Sequence, residues 1–444
     1  MERIDDDSRK KFVKYVSLNI LAMLGSSCYI VADTFFIANG IGPDGLTALN
    51  LAISVFSFVQ AIGLMIGIGS GTRYAVSVSR AKHEAGNKVF TNAIMTGVTI
   101  GCLIAAVGLL FAKQIAGLLG ADQITVGMTG IYLKVIMSFA PFYIVNHTVV
   151  AFVRNDGNPK LAAIAMLSGN LSNIVLDYVF IYIFDWGMFG AAFATGIAPV
   201  VSICCLTAHF IKKQNHFWLV RTKFSPHTAF DFCKLGISSF VNELSTGAVI
   251  MIFNFLFLGL GGNTAVAAYG IVANVALFAV SIFTGTAQGI QPLVSDYYGR
   301  GMSKQLRAVL RDAAIVALVL TAVIVAVADI FNDEIVSLFN KSGDVQLQSI
   351  AKEGIFIYFL GFFPGSLNIV LAGYLSAMEK AEKGFIISLL RGLVVIAPSA
   401  LLLSKAFGMT GVWMAIPVTE TITLLAALYM SRRLVSNVKR SDLR

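Results

Sequence analysis

Charged residues are scarce in this sequence. Asp, Glu, Lys and Arg make up only 13% of its 444 residues, and 57% of the residues are hydrophobic. Soluble domains carry roughly 25% charged residues. The composition therefore excludes an ordinary soluble domain and predicts a protein that crosses a lipid bilayer many times.

Cysteines and catalytic motifs are scarce as well. The five cysteines fall mostly in apolar segments and show no metal-ligand spacing, which argues against a disulfide framework or a cysteine-based metal site. The sequence contains no HExxH pair, phosphate-binding loop, nucleophile motif or ATP-binding domain. We therefore expect neither enzyme activity nor a cofactor. Active transport by this chain would have to use an ion gradient.

Twelve apolar runs are long enough to cross the ~30 Å hydrocarbon core of a bilayer as helices. They lie at about 12–39, 45–72, 89–112, 125–153, 160–184, 188–211, 230–259, 264–296, 308–330, 353–378, 384–404 and 409–431. The sequence thus predicts an all-α membrane protein with twelve transmembrane helices, called spans 1 to 12 here. The first run is too long for the apolar region of a signal peptide, so we expect it to be retained.

Basic residues are distributed unevenly between the two sides of the predicted bundle. Most of the 33 lysines and arginines lie before span 1, in every second loop and after span 12. The loops on the other side hold only Lys113, Lys341, Lys352 and Lys405. The positive-inside rule then predicts that both termini are cytoplasmic, in a cell (inner) membrane. Because topology explains the formal net charge of +9, no nucleic-acid partner is predicted.

The two halves of the chain repeat one another. GLTALNLA at 45–52 returns as AVAAYGIV at 265–272, and Pro141 in span 4 corresponds to Pro364 in span 10. Six spans per repeat give both repeats the same orientation, so a pseudo-two-fold axis should run along the membrane normal. Two six-helix lobes around a central cleft are expected, with boundaries at 1–213 for the N-terminal lobe, 214–228 for a cytoplasmic linker and 229–444 for the C-terminal lobe.

Span 5 carries polar residues inside an apolar run. Asn170, Asn173 and Asp177 are spaced i, i+3, i+7 and therefore share one helix face. A carboxylate at such a position costs about 2.5–3.5 kcal/mol on insertion scales, so it usually faces the protein interior or a water-filled cavity. Asp33 in span 1 and Thr195 in span 6 reach a similar depth. We expect Asp33 and Asp177 to share a pocket and a proton, the alternative being that Asp177 only anchors its helix.

Other polar residues in the spans are candidates for the wall of the cleft. These are Gln60, Asn146, His147, Asn274, Gln288 and Gln291. Hydrogen bonding between neighbouring helices is the competing explanation for each of them. The charged residues of the second half are Glu243, Arg391 and Glu420, and a structural salt bridge between Arg391 and one of these carboxylates is an open alternative to a functional role.

Three stretches together resemble the multidrug and toxic compound extrusion (MATE) family, in particular its DinF-like and MepA-like branch. They are ADTFFIANGIGPDGLTALNLA at 32–52, SRAKHEAGN at 79–87, and RNDGNPK at 154–160 with the helix of Asn173 and Asp177 that follows it. The resemblance implies a cation-coupled exporter of bulky, lipophilic, often cationic compounds that works by alternating access.

The resemblance also implies roles for individual residues. Asp33 and Asp177 match the acidic residues that form the coupling site in this branch, with Asn173 and Thr195 beside them. Glu243 stands where another branch carries an important glutamate. One departure is that span 1 often contains a proline in such relatives, whereas the first proline here is Pro43.

The sequence therefore predicts a monomeric antiporter that exports small lipophilic cations across the lipid bilayer, driven by inward flux of H⁺ or Na⁺. No metal site is expected apart from Na⁺ at Asp33 and Asp177. The alternative is a flippase for lipid-linked saccharide or polysaccharide precursors, which is a related activity. Such a flippase should line its cavity with Arg and Lys to hold phosphates, but Lys134 and Arg391 are the only basic residues predicted well inside the spans.

Overall fold

The computed structural model describes residues 6–340 and 343–441 of the chain. Nearly all of these residues are helical, and no strand occurs in the described ranges. Lys341 lies outside them, as do residues 1–5 and 442–444, and the basic side chains after Met430 are likewise not described. The all-α architecture predicted from the apolar runs is present.

The first half of the chain forms seven α-helices. They are α1 (Asp6–Gly40), α2 (Pro43–Ser79), α3 (His83–Leu118), α4 (Thr125–Ser138), α5 (Ala140–Asn155), α6 (Pro159–Tyr178) and α7 (Gly187–Ile211). A π-helical turn, Val179–Ile183, continues α6. The second half forms α8 (Pro226–Gly299), α9 (Ser303–Ile330), α10 (Asn332–Phe339), α11 (Val345–Leu360), α12 (Phe362–Ala377), α13 (Ala381–Leu389) and α14 (Ile396–Ser441), with a π-helical turn at Leu390–Val394.

Local sequence explains where the helices that carry the site begin. Asn158 caps α6 by accepting a hydrogen bond from the Leu161 backbone N–H at 3.2 Å, and Pro159 occupies the first helical position. Ser225 caps α8 in the same way through the Thr228 N–H, again before a proline. Proline is favoured there because the first helical N–H has no intrahelical partner.

Each half contains one bent pair of helices at an equivalent place. The axes of α4 and α5 meet at 46°, and those of α11 and α12 also meet at 46°. Pro141 and Pro364 lie in the first turn after the respective breaks, where a ring that cannot donate a hydrogen bond favours a kink. The matching bends support the internal repeat predicted from the sequence.

The number of membrane crossings follows from how broken helices are counted. Eight helices among the described residues are long and apolar enough to cross a membrane, or up to ten if each bent pair is one span. Helix α8 has 74 residues, and a straight helix of that length would measure about 110 Å, far more than a bilayer. Non-helical backbone interrupts α8 at Gly261 and Gly262, and it interrupts α14 at Gly408. Dividing the chain at these glycines is consistent with twelve spans, which stays a prediction.

The two halves touch near one end of the bundle. We call this the basic end and define it by Arg80, Arg300 and the segment 212–225. Gly285 and Gly289 of α8 pack on the α1 backbone, where an added Cβ atom would lie 2.7 Å from the nearest Cα atom. Arg73 of α2 also pairs with Glu379 at 2.5 Å. These contacts lie in the half of the bundle nearer the basic end and form the floor of a cleft between the lobes.

The segment between α7 and α8 packs onto the first half. Phe217 is fully buried, and its ring contacts Phe90 and Phe152 with centroid distances of 4.6 and 5.3 Å. The backbone N–H groups at 218, 220 and 225 donate to side-chain oxygens on α3 at 2.8–3.1 Å. Because so many bonds join it to α3, we expect this linker to move with the N-terminal lobe.

Candidate functional site

Close helix packing brings the acidic residues of α1 and α6 together. A Cβ atom at Gly25 of α1 would lie 2.4 Å from Leu167 Cδ2 of α6, and one at Gly169 of α6 would lie 2.8 Å from the Ala198 carbonyl oxygen of α7. Small residues at such contacts let membrane helices approach closely. Asn170 reinforces the first contact by donating to Ser26 Oγ at 3.1 Å.

Asp33 and Asp177 lie carboxyl to carboxyl, within hydrogen-bonding reach of each other. Asp177 is fully buried and Asp33 is 7% exposed. With its amide nitrogen toward Asp177, Asn173 donates to Asp177 Oδ2 at 3.2 Å and accepts from the Thr195 backbone N–H at 3.2 Å. The structure thus brings together the four residues that the sequence singled out for ion coupling, and we call them the acid cluster.

The acid cluster lacks a basic partner. No ion pair of the described residues includes either carboxyl group, and the Oδ1 atom of each is buried without a hydrogen-bond partner. Lys134, one of the two basic residues predicted well inside the spans, is exposed. Two adjacent carboxylates in a low dielectric repel each other, so a proton or a cation is needed to neutralise them. The oxygens of Asp33, Asp177, Asn173 and Thr195 are suited to a hard cation such as Na⁺.

Two tyrosines that the sequence did not single out surround Thr195. Tyr143 donates through its hydroxyl to the Thr195 carbonyl oxygen at 2.6 Å, and Tyr132 interacts with the same residue. Both rings are buried. A lone tyrosine in an apolar run has no periodic signal, so the sequence alone does not distinguish these two from packing residues.

Two neighbouring cavities lie at the floor of the cleft. One, of about 150 Å³, lies between the lobes and is lined by Leu64 and Ile68 of α2 and by Glu243 of α8. The other, of about 170 Å³, is lined by residues of the second half, with Tyr269 and Glu420 among them. Both cavities have Asn242, Thr246 and Arg391 in their walls, so they adjoin each other.

The charged residues of the second half differ in their pairing. Arg391 Nη2 and Nε donate to Glu420 Oε1 at 2.6 and 3.1 Å, and Asn368 donates to Glu420 Oε2 at 2.7 Å. Glu420 is therefore the carboxylate that neutralises Arg391. Glu243 has no hydrogen bond or ion pair in the described part of the chain, and its side chain lines the cavity between the lobes.

The polar residues predicted for the cleft divide into two groups. Gln288 and Gln291 line the cavity between the lobes. Gln60 of α2 and His147 of α5 instead form a hydrogen bond with each other, with Oε1 and Nε2 2.7 Å apart. This contact fits the competing explanation of hydrogen bonding between neighbouring helices. Neither of the two cavities includes Asn146 or Asn274 in its lining; Asn274 is exposed and donates to the Gly270 carbonyl of its own helix.

The sequence alone does not identify Arg154 as a residue of the cleft. Its position in RNDGNPK placed it in a charged loop, but the structure places it in the last turn of α5, 2% exposed, in the wall of the cavity between the lobes. Its guanidinium contacts amide oxygens from both halves of the chain. A charged motif at the end of an apolar run does not reveal which of its residues turns inward.

Known proteins resemble this chain over nearly its whole length. The MatE family model matches residues 19–179 and 239–401, one stretch in each half. A protein of Staphylococcus saprophyticus named "Multidrug export protein MepA" is 27% identical over 412 residues, covering 92% of this chain and 90% of the relative. A Staphylococcus aureus (strain MRSA252) protein of the same name is 27% identical over 417 residues, with the same coverage.

Solved structures share the fold at lower identity. A structure described as "Crystal structure of MATE in complex with MaL6" superposes with a TM-score of 0.92 at 21% identity, covering 98% of this chain and 97% of the other. One described as "Outward-facing conformation of a multidrug resistance MATE family transporter of the MOP superfamily" gives 0.91 with the same coverage and identity. The two-lobe fold of these structures is the predicted one. With both halves matched by the family model, this chain belongs to the MATE family, whose members are membrane transporters rather than enzymes.

Proposed function

We propose that this protein is a secondary antiporter that exports lipophilic, often cationic compounds, driven by inward flux of H⁺ or Na⁺. The observation that carries the proposal is the acid cluster, in which two adjacent carboxyl groups lie in the membrane interior without a basic partner. Intramembrane carboxyl groups of this kind mark ion pathways and proton relays. The names of the staphylococcal relatives support multidrug export as the activity.

Helix α1 links the acid cluster to the contacts between the lobes. It carries Asp33, and it also carries Ser27, whose Oγ lies 2.5 Å from Ser281 Oγ of α8. Nearer the basic end, Asn19 accepts from Arg154 at 2.9 Å. Neutralising Asp33 by a proton or Na⁺ therefore changes the charge on the same helix that holds the lobes together. We infer that this shifts the balance between two states of the cleft.

The state described here is proposed to be outward-facing. The lobes touch near the basic end, and with cytoplasmic termini that end faces the cytoplasm. The cleft then opens to the outside, and release of the contacts on α8 would open it inward. Lobes that rock around a central site are the usual means of alternating access in repeat-built transporters.

The walls of the cleft suit a lipophilic cation. Glu243 supplies an unpaired carboxylate, and Tyr269, Phe283 and Phe362 supply aromatic surface in the adjoining cavity. A carboxylate in a confined, water-accessible cleft attracts cations, and ring faces add cation–π contacts of about 0.5–2 kcal/mol.

The flippase alternative has one observation in its favour, the buried Arg154 in the cavity wall. Against it stand the Glu243 carboxylate in the same wall and the neutralisation of Arg391 by Glu420. A diphosphate linker would meet one unpaired positive charge and one repelling negative charge. We therefore favour export of cationic compounds.

Accumulation of ethidium by cells tests the proposal. Cells that express the wild-type chain should accumulate less ethidium than cells that express Asp33→Asn at the same level in the membrane. Ionophores that collapse the H⁺ or the Na⁺ gradient identify the coupling ion by abolishing the difference. Unchanged ethidium accumulation, together with rescue of a flippase-deficient strain, would replace the proposal by the alternative.

A further inference from the structure

Two ion pairs join the halves of the chain at the basic end, and both use Glu379. This residue lies in the turn between α12 and α13 of the second half. Its Oε1 atom lies 2.5 Å from Arg73 Nη1 of α2, and its Oε2 atom lies 3.8 Å from Arg80 Nη2 in the loop after α2. The other ion pairs between described residues lie within one half or join it to the linker. We call Glu379, Arg73 and Arg80 the clamp.

Arg80 also contacts the second half through an aromatic ring. Its guanidinium carbon lies 5.9 Å from the centroid of the Tyr298 ring of α8, within the range of a cation–π contact. Next to this contact, a Cβ atom at Gly299 would lie 2.8 Å from the Cβ atom of Ser79. The loops at 79–81 and 299–301 correspond in the internal repeat, so equivalent residues meet here. The clamp therefore lies beside the pseudo-two-fold axis that relates the lobes.

Glu379 has a backbone conformation that disfavours a glutamate. Its φ is 56°, in the left-handed region. The turn that contains it has three residues, 378–380, and the equivalent turn between α5 and α6 also has three, 156–158, with Gly157 in the middle at φ 89°. Glycine adopts such a φ without a steric penalty. A glutamate at this position is strained, and its side chain is bonded to the other half of the molecule.

The clamp is weak enough to open. The side chains of Arg73 and Arg80 are 40% and 42% exposed, and that of Glu379 is 14% exposed. A groove of about 520 Å³ lies beside the clamp, with Arg73, Glu379 and Lys380 in its wall. Water in this groove can solvate the charges when they separate. The ion pairs therefore favour contact between the lobes without fixing it.

We propose that Glu379 is the latch of the cytoplasmic side. It holds the lobes together through Arg73 and Arg80 in the outward-facing state, and its release is the step that lets the lobes separate at the basic end. The inference rests on the alternating access and the outward-facing orientation proposed above. Loss of the carboxylate should therefore change the balance between the two states of the cleft and leave the fold intact.

The distance between the lobes tests this assignment without any transport measurement. Spin labels are attached to the full-length protein through cysteines at Lys82, in the loop after α2, and at Arg307 of α9, with the five native cysteines replaced by alanine. Both positions are exposed near the basic end, one on each half. Pulsed electron paramagnetic resonance in lipid nanodiscs then measures the fractions of molecules with a short distance, closed at the basic end, and with a long distance, open there.

The wild-type protein should show mainly the short distance. Glu379→Gly and Glu379→Gln should each raise the open fraction about threefold, as expected for the loss of partly exposed ion pairs. Arg73→Gln should also raise it, and the double variant Arg73→Gln/Glu379→Gln should go little further than Glu379→Gln alone, because both changes remove the same pair. Glu379→Gly restores the glycine of the equivalent turn, so its melting temperature should stay within a few degrees of wild type.

Glu382→Gln is the matched control. It removes an ion pair of 2.9 Å with Lys234 that lies in the wall of the same groove but joins two helices of the second half, so the distances should stay as in wild type. Unchanged distances in both Glu379 variants, equal opening by Glu382→Gln, or a wild-type protein that is mainly open would overturn the proposal. Ethidium accumulation tests the antiport activity separately, since the distances report the positions of the lobes whether or not the dye is exported.

Discussion

At the scale of single residues, the buried charges of this molecule divide into paired and unpaired groups. The Glu420 carboxylate accepts three hydrogen bonds from Arg391 and one from the Asn368 side chain. The carboxyl groups of Asp33 and Asp177 have each other and Asn173, and Glu243 and Arg154 have no ion pair in the described ranges. Paired charges stabilise an interior only as long as both partners stay, whereas unpaired charges are available to ions or ligands.

Replacing Glu420 by Leu should therefore destabilise the protein. The change leaves Arg391, whose side chain is 18% exposed, without a counter-charge. Removing one partner of a buried pair typically costs about 3–5 kcal/mol, which is an upper bound here. Thermal unfolding of the purified protein in detergent would measure the loss. The double variant Arg391→Met/Glu420→Leu should recover most of the stability, because it removes both charges together. A double variant no more stable than the single one would contradict a structural role for this pair.

Residue chemistry explains which parts of the site the sequence could reveal. Asp33 and Asp177 stand out because carboxylates are rare in apolar runs, and the spacing of Asn173 placed it on the same face as Asp177. Arg154 stayed hidden because a helix end in a charged motif looks the same whether its side chain turns inward or outward. The sequence predicts Gln60 and His147 as cleft residues, but the structure shows them hydrogen-bonded to each other. Only three-dimensional packing distinguishes such a pair from a binding surface.

At the scale of elements, α1 is the helix on which the proposed coupling depends. It runs without a break from Asp6 to Gly40, so the structure holds no bend where relatives often have a proline. Its first half packs on α8 of the other lobe, and its second half presents Asp33 to α6. Gly25 lies between these regions, against Leu167 of α6. We infer that a straight α1 moves as one body between the lobes.

Replacing Gly285 by Val should push α1 away from α8. The Cβ atom would lie 2.7 Å from the Ile20 Cα atom of the α1 backbone, which no change of rotamer can move aside, and overpacking of this kind costs about 1–3 kcal/mol. Ethidium export should fall, and the melting temperature should drop by a few degrees. Gly247→Val is the matched control, since nothing lies within 4 Å of a Cβ atom at that helical glycine. Equal losses from both substitutions would argue against a specific contact between α1 and α8.

At the scale of the whole molecule, the two halves share a backbone plan but differ in their charges. The bends at 46° recur in both, each beside one of the two matched prolines. The first half holds the carboxyl pair of Asp33 and Asp177, which lacks a basic partner among the described residues. The second half holds Arg391 and Glu420, which neutralise each other. Duplication explains the shared fold. The difference in charge supports placing ion coupling in the N-terminal lobe and leaving the cleft floor for cargo.

The most direct test is transport by purified protein in liposomes, with an H⁺ or Na⁺ gradient imposed across the membrane and ethidium at saturating concentration. Wild-type protein should move the dye against the ion flux, and an ionophore for the coupling ion should stop it. Asp33→Asn and Asp177→Asn should each abolish the gradient-driven component while still binding the dye, and Glu243→Gln and Glu420→Gln, at matched amounts of folded protein, should keep it. If Asp177→Asn transports normally and Glu243→Gln shows no gradient-driven transport, coupling belongs to the second lobe and this account is wrong.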